Sequence, residues 1–143
     1  MPNEPIWLTD SQVIGINQRL VAGSDEPHFL RDAGLLSSAV ARPKNRWAYS
    51  DRDIVSLAGS LLLGIGRNHP FEQGNKRTAM AAASVFLRLN GYSFVAPDGE
   101  PLGMFVERSI LGSISESVFF DAFRKCVVTT EEWEEFKQTR IQS

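Results

Sequence analysis

IVSLAGSLLLGIGRNHPFEQGNKRTAMAAASVFLRLNG, residues 54–91, consists of two apolar segments joined by the most polar loop in the chain. In the first segment Ile54, Leu57, Ala58, Leu61, Leu62 and Ile65 recur at helical spacing, and nearly every face is apolar. That pattern marks a buried helix rather than a surface one. In the second segment Ala79, Ala82, Ala83, Phe86 and Leu87 share one set of helical spacings, while Met80, Val85 and Leu89 cover other faces. Ala79, Ala81, Ala82 and Ala83 let neighbouring helices approach closely, and Asn90-Gly91 suits a C-cap. Pro70 and Gly74 break the pattern between the two. The reading is a pair of central helices with a polar loop pinned between them, around which the other segments pack as an all-α bundle.

Outward from this pair, Thr9-Asp10-Ser11-Gln12 has the form of a capping box before VIGINQRLVAG, with Gly23 as its stop. Residues 24–30 read as a loop. A second helix is expected over about 31–41, ending before Pro43 because the residue preceding proline is pushed out of helical geometry. ARPKNRWAYSDRD, residues 41–53, then reads as a polar, basic and aromatic connector. YSFVA, residues 92–96, reads as one short strand or an extended link into Pro97-Asp98-Gly99. Helices are expected at about 101–111, 115–126 and 130–139, with capping-box candidates at Ser113–Glu116 and Thr129–Glu132. No repeat or low-complexity segment is visible. The expectation is one domain over 1–143, with about six to eight helices and room for one short strand or hairpin.

Composition narrows the function. At 143 residues the chain suits one domain, and 43% apolar with 22% charged residues is ordinary for a globular protein. A formal charge of −2 offers no basic excess for nucleic acid. The single Cys126 forms no internal disulfide and fits a reducing compartment. Met1-Pro2-Asn3-Glu4-Pro5 lacks the start of a signal peptide, and no apolar run reaches the ~20 residues of a membrane span. The expected location is the cytoplasm, with no membrane partner.

The loop carries the chemistry. A helix begins near Gly74, so several main-chain N–H groups there have no intrahelical partner and, with the helix dipole, favour an anion. Lys76 and Arg77 in that first turn are unfavourable to the dipole by roughly 0.3–1 kcal/mol each, which makes sense if an external anion occupies the site. Phosphate fits best, since arginine holds it with two parallel hydrogen bonds. Arg67, near the end of the preceding helix, is placed to reach the same point, and His69 adds a group that accepts a proton near neutral pH. A base, an anion cradle and cations together suggest phosphate chemistry on a hydroxyl. A histidine beside proline also serves as a helix-end hydrogen bonder, and Lys-Arg at a helix start as a solvated face. Their joint occurrence within residues 69–77, between two buried helices, favours the site.

HPFEQGNKRTA resembles the signature of the Fic/Doc family, and LRDAGLLSSAVARPKNRWAY, GIGRNHPF and AAASVFLRLNGY resemble its death-on-curing (Doc) branch, together covering roughly residues 27–95. The resemblance implies a helical bundle. It implies that His69 deprotonates a target hydroxyl, that Phe71 anchors the loop in the core, and that Gly74, Asn75, Lys76 and Arg77 form the phosphate nest. Fic relatives move AMP from ATP to the hydroxyl. The Doc branch instead transfers the γ-phosphate, with elongation factor Tu as target, because the nucleotide lies the other way round. Lys76, where AMP-transferring relatives carry glycine, marks the branch and adds a charge that would block the AMP-transfer pose.

The sequence departs from the signature at Gln73, where the family has a carboxylate that helps hold Mg²⁺ on the nucleotide; the acid stands one place earlier, at Glu72. A neutral amide is a weaker partner for Mg²⁺. Three outcomes stay open: Glu72 ligates the metal through a shifted loop; phosphates, water and the Gln73 carbonyl hold it; or the protein transfers something else, or nothing, in the last case as a nucleotide-binding or regulatory protein whose catalysis has decayed. The second is preferred. No glutamate is followed by Gly or Asn, so the family's inhibitory-helix motif is absent, and restraint by a separate antitoxin, as in the Phd–Doc pairing, is expected. The leading reading is a toxin that phosphorylates a Ser or Thr of a translation factor, with AMP transfer as alternative.

Three other segments carry weaker signals. Residues 41–53 read as an exposed connector with its aromatics tucked onto the core, and by the resemblance as a flap that pairs main chain with the target. His28 with Asp25 and Glu26 reads as a solvated loop rather than a metal site, while Arg31 precedes a helix start that can face the nucleotide. Trp133 and Phe136 share a helical face among acids, suited to docking on the chain's own core or to holding an antitoxin segment.

Overall fold

A computed structural model describes residues 3–25, 27–96 and 99–142. Among these residues seven helices and two short strands follow in order: α1 (Asp10–Ala22), α2 (Ala33–Ala48), α3 (Ile54–Asn68), α4 (Asn75–Leu89), β1 (Tyr92–Phe94), α5 (Glu100–Leu111), α6 (Glu116–Lys125), β2 (Val127–Thr129) and α7 (Thr130–Gln142). The mostly helical architecture agrees with the sequence. Met1-Pro2, Glu26 and Pro97-Asp98 of the readings above lie outside the described residues. No described helix is long and apolar enough to cross a membrane.

The apolar run of α3 does what its pattern demands: every residue from Leu57 to Gly66 is buried. It packs between α2 and α4, and α5 and α6 also lie against it. The buried face of α4 is built from Ala79, Ala82, Ala83, Phe86 and Leu87, the set read from the sequence. Thr9 and Gln12 form the expected capping box of α1, and the Thr129 hydroxyl accepts from the Glu132 amide at the start of α7. At α6 the cap is Ser115, whose hydroxyl accepts from Val118 N–H, so the box drawn from Ser113 to Glu116 does not form.

The second helix corrects the sequence reading. It does not stop before Pro43 but runs through it to Ala48, with Pro43 buried inside. A proline there removes one helical N–H and crowds the carbonyl four residues back, that of Ala39. Tertiary packing overrides this cost. Ala39 is fully buried, and a Cβ added at Gly64 of α3 would lie 3.4 Å from both its Cα and its carbonyl oxygen. The small pair Ala39 and Gly64 thus brings the two helices close enough to hold the proline turn helical. Residues 41–48 of the supposed connector are therefore helix, with their main chain engaged within α2, and only residues 49–53 remain as a connector between α2 and α3. Trp47 is half-buried and meets Trp7 edge-on at 6.2 Å, whereas Tyr49 is 86% exposed. YSFVA does contain a strand, and β1 pairs antiparallel with β2 in the register Tyr92↔Thr129, Ser93↔Val128 and Phe94↔Val127.

Candidate active site

The loop between α3 and α4 is fixed at both ends by unusual backbone. His69 terminates α3 in the left-handed conformation, φ 49° and ψ 55°. For a residue other than glycine this costs roughly 1–2 kcal/mol, so other contacts must impose it. They are present: the Arg31 guanidinium donates to the His69 carbonyl at 2.6 Å, and the His69 amide donates to Ile65 O at 3.3 Å. The residue itself is exposed. Gly74, φ 75°, starts α4, and a Cβ there would lie 3.2 Å from Val21 Cγ1.

Between these ends Phe71 is buried without residual exposure, seated in the core as its anchor position implies. Asn75 ties the loop across itself: its Oδ1 accepts from the Phe71 amide at 2.9 Å and its Nδ2 donates to the Phe71 carbonyl at 2.8 Å. The same Nδ2 lies 3.5 Å from His69 Nδ1. Residues 28–32 border the loop like a strand. Leu30 and Phe71 form an antiparallel bridge, Glu72 N–H donates to Phe29 O at 3.0 Å, and the Arg31 and Asp32 amides both donate to Pro70 O.

No side chain caps α4, whose first closing bond is Thr78 N–H to Gly74 O at 2.8 Å. The amides of that first turn, beside the exposed residues Lys76 and Arg77, therefore form a concavity suited to an anion. Lys76 lines two cavities. One, of about 150 Å³, is bordered by Gly66, His69, Glu107, Ile110 and Leu111; the other, of about 380 Å³, is bordered by Arg77 and by apolar groups including Leu20, Met80, Phe94 and Val106. A groove of about 450 Å³ between α1 and α4 contains neither His69 nor the loop cations.

Arg67 does not join them. Its Nε donates to Ile110 O at 3.1 Å, Nη2 to Ser109 O at 3.2 Å and Nη1 to Glu116 at 2.7 Å. All three nitrogens are thus committed to α5 and α6, and the hydrogen bond from Arg67 holds the Glu116 carboxyl below its ordinary pKa. The expected third cation is a structural clamp.

The loop presents no preassembled Mg²⁺ cage among the described residues. Gln73 offers an amide, its carbonyl is turned toward α1, where Asn17 Nδ2 donates to it at 2.8 Å, and Glu72 is exposed. Among the described residues no group of three or more His, Cys, Asp or Glu is arranged to hold a metal ion.

Two residues near the loop, Asn17 and Glu107, escaped the sequence reading, and Arg31, read only as preceding a helix start that can face the nucleotide, has a different role there. Arg31 braces the His69 carbonyl. Glu107 of α5 stands 4.0 Å from Lys76 and adds a carboxylate to the smaller cavity. Asn17 is fully buried against the loop. Only Asn17 left a signal: it interrupts the apolar stripe Val13, Asn17, Val21 at four-residue spacing.

Comparison with known proteins places this loop within a matched region: residues 7–87 match the Fic/DOC family. A protein named Toxin Doc from Mycolicibacterium smegmatis is 45% identical over 69 residues, which cover 47% of this chain and 53% of that protein. The Protein kinase doc of Escherichia phage P1 is 30% identical over 103 residues, covering 71% of this chain and 80% of that one. The chain thus spans about half the length of the first relative and four-fifths of the second.

Proposed function

The chain belongs to the Fic/DOC family, and from that premise we propose that it is a Doc-like toxin that phosphorylates a Ser or Thr hydroxyl of a target protein. The donor is ATP or another nucleoside triphosphate, brought in with its own Mg²⁺ as part of the substrate. The observation that carries the reading is the juxtaposition of the exposed His69 with the uncapped start of α4, in a loop locked by Asn75. In the proposed step the acceptor oxygen forms a bond to the γ-phosphorus while the bond to the β,γ-bridging oxygen breaks. The hydroxyl proton passes to the His69 imidazole, and the nucleoside diphosphate leaves. The amides at Gly74–Lys76 and the Arg77 guanidinium stabilise the charge on the transferring group. Lys76, beside both cavities, favours a phosphate placed where AMP-transferring relatives leave room.

The proposed target is a translation factor such as elongation factor Tu, and the proposed restraint is a separate Phd-like antitoxin. The names of the two relatives support the toxin and kinase parts of this reading. A second reading, a nucleotide-binding protein with impaired catalysis, draws on the amide at Gln73 and the engagement of its carbonyl. Expression of the chain is expected to arrest growth, and His69→Ala to relieve it, with transfer reduced by about 10²–10⁴-fold. Mass spectrometry of the modified target distinguishes an added phosphate from an added AMP. An impaired binder would instead modify nothing and lose nucleotide affinity only with Arg77→Ala.

A further inference from the structure

Asn17 is a polar side chain with no exposed surface, and each of its side-chain polar atoms is engaged. Its Nδ2 donates to Gln73 O at 2.8 Å and to Thr78 Oγ1 at 3.0 Å, and its Oδ1 lies 2.7 Å from His28 Nδ1. A carbonyl oxygen only accepts, so the amide face toward Gln73 must be the NH₂. The oxygen then faces His28, and His28 must carry its proton on Nδ1 to donate to it. The ring of His28 also lies against Phe71, with centroids 6.1 Å apart.

The consequence lies on the other side of the peptide. In a planar trans peptide the C=O and the following N–H point in opposite directions. With the Gln73 carbonyl held toward α1, the Gly74 N–H is directed away from α1. Gly74 is left-handed and Asn75 already helical, a sequence of conformations that turns successive amides into one concavity. Were this peptide flipped, a carbonyl dipole would face the anion instead of a donor.

The geometry points to Asn17 as a positioning residue for the phosphate cradle, with His28 fixing which way the Asn17 amide faces. The inference rests on the anion-binding reading above and adds what sets the cradle's polarity. Nothing in the reacting groups touches Asn17 or His28; they act through the Gln73–Gly74 peptide.

The test measures ATP binding by calorimetry on the whole chain, with urea unfolding as a check of folding. Asn17→Leu is expected to weaken ATP binding about tenfold or more, the loss of one donor to a charged group. His28→Phe keeps a ring against Phe71 but removes the donor, and is expected to weaken binding about threefold. His28→Gln, which donates again, is expected to restore most of it, a rescue that a role in packing alone would not give. In ¹⁵N-labelled wild-type protein the Gly74 amide resonance is expected to move on ATP addition, and to move less in His28→Phe. A folded Asn17→Leu protein that binds ATP like the wild type, while Arg77→Ala has lost binding, overturns the positioning role and leaves the anion site standing. If Asn17→Leu does not fold, unchanged binding by His28→Phe overturns the role in the same way. A wild-type chain indifferent to ATP overturns both.

Discussion

At the scale of single residues, His69 and Gly74 adopt the same region of backbone space for opposite reasons. Glycine enters the left-handed region without penalty, whereas His69 is held there by Arg31 and by the end of α3. Gly74→Ala is expected to destabilise the fold by about 2–3 kcal/mol, combining the left-handed penalty with crowding against Val21 and Asn17. The urea midpoint measures it, and a shift below about 0.5 kcal/mol would remove the backbone from the account. The motif residues His69 to Arg77 were legible because they are contiguous, so one short stretch of sequence carries them together. The positions of Asn17 and Glu107 and the bracing role of Arg31 were not. These residues meet the loop from far along the chain, and apart from the break that Asn17 makes in the apolar stripe of α1, nothing local in their surroundings distinguishes a buried or bracing polar group from a solvated one. Arg67 was misread for the same reason, since the carbonyls of Ser109 and Ile110 that claim it are more than forty residues away.

At the scale of elements, α3 and α4 were readable because burial imposes a period on the sequence. The extent of α2 was not, because proline's local penalty was outweighed by a contact visible only in three dimensions. That contact makes a graded prediction. Gly64→Ala gains helix propensity of about 1 kcal/mol and places its Cβ 3.4 Å from Ala39 and 3.1 Å from Cδ of Arg42, a flexible side chain that must give slightly, so stability is expected to change by less than about 1 kcal/mol. Gly64→Leu has no room against the main chain of α2 and is expected to cost about 2–3 kcal/mol. Equal effects of the two substitutions on the urea midpoint would show that the helices are not held by their close approach. The strand β2 was missed because residues 127–129 gain strand geometry only by pairing with β1.

At the scale of the whole molecule, the charges that clamp helices together are acid-sensitive. Burial pushes the Asp51 carboxyl up, but the Ser56 hydroxyl, the Asp53 amide and Arg46 outweigh it and leave its pKa below the ordinary 3.8. Glu116 is lowered from 4.5 chiefly by its hydrogen bond from Arg67. Groups with depressed folded pKa values stabilise the fold above their unfolded values and lose that contribution as pH falls through the folded ones. Unfolding midpoints are therefore expected to be level from neutrality to about pH 5 and to decline below it. Arg67→Met is expected to make that decline shallower while leaving ATP affinity within about twofold, since its partners lie on α5 and α6. A large loss of ATP affinity would return Arg67 to the phosphate site. At the far end, α7 has no buried residue among those described, and Trp133 stacks on the half-exposed Phe136 at 5.6 Å rather than entering the core.

Asn75 grips the peptide of Phe71 from both sides, closing the loop into a small ring whose floor is an aromatic side chain sunk in the interior. Such a ring leaves its main chain one arrangement before any ligand arrives. On the proposed reading, a polyphosphate settling there would have little backbone left to order, and the entropy of association would reflect chiefly displaced water and salt ions. A site of that kind would be complete once the chain has folded, with its selectivity built into its shape.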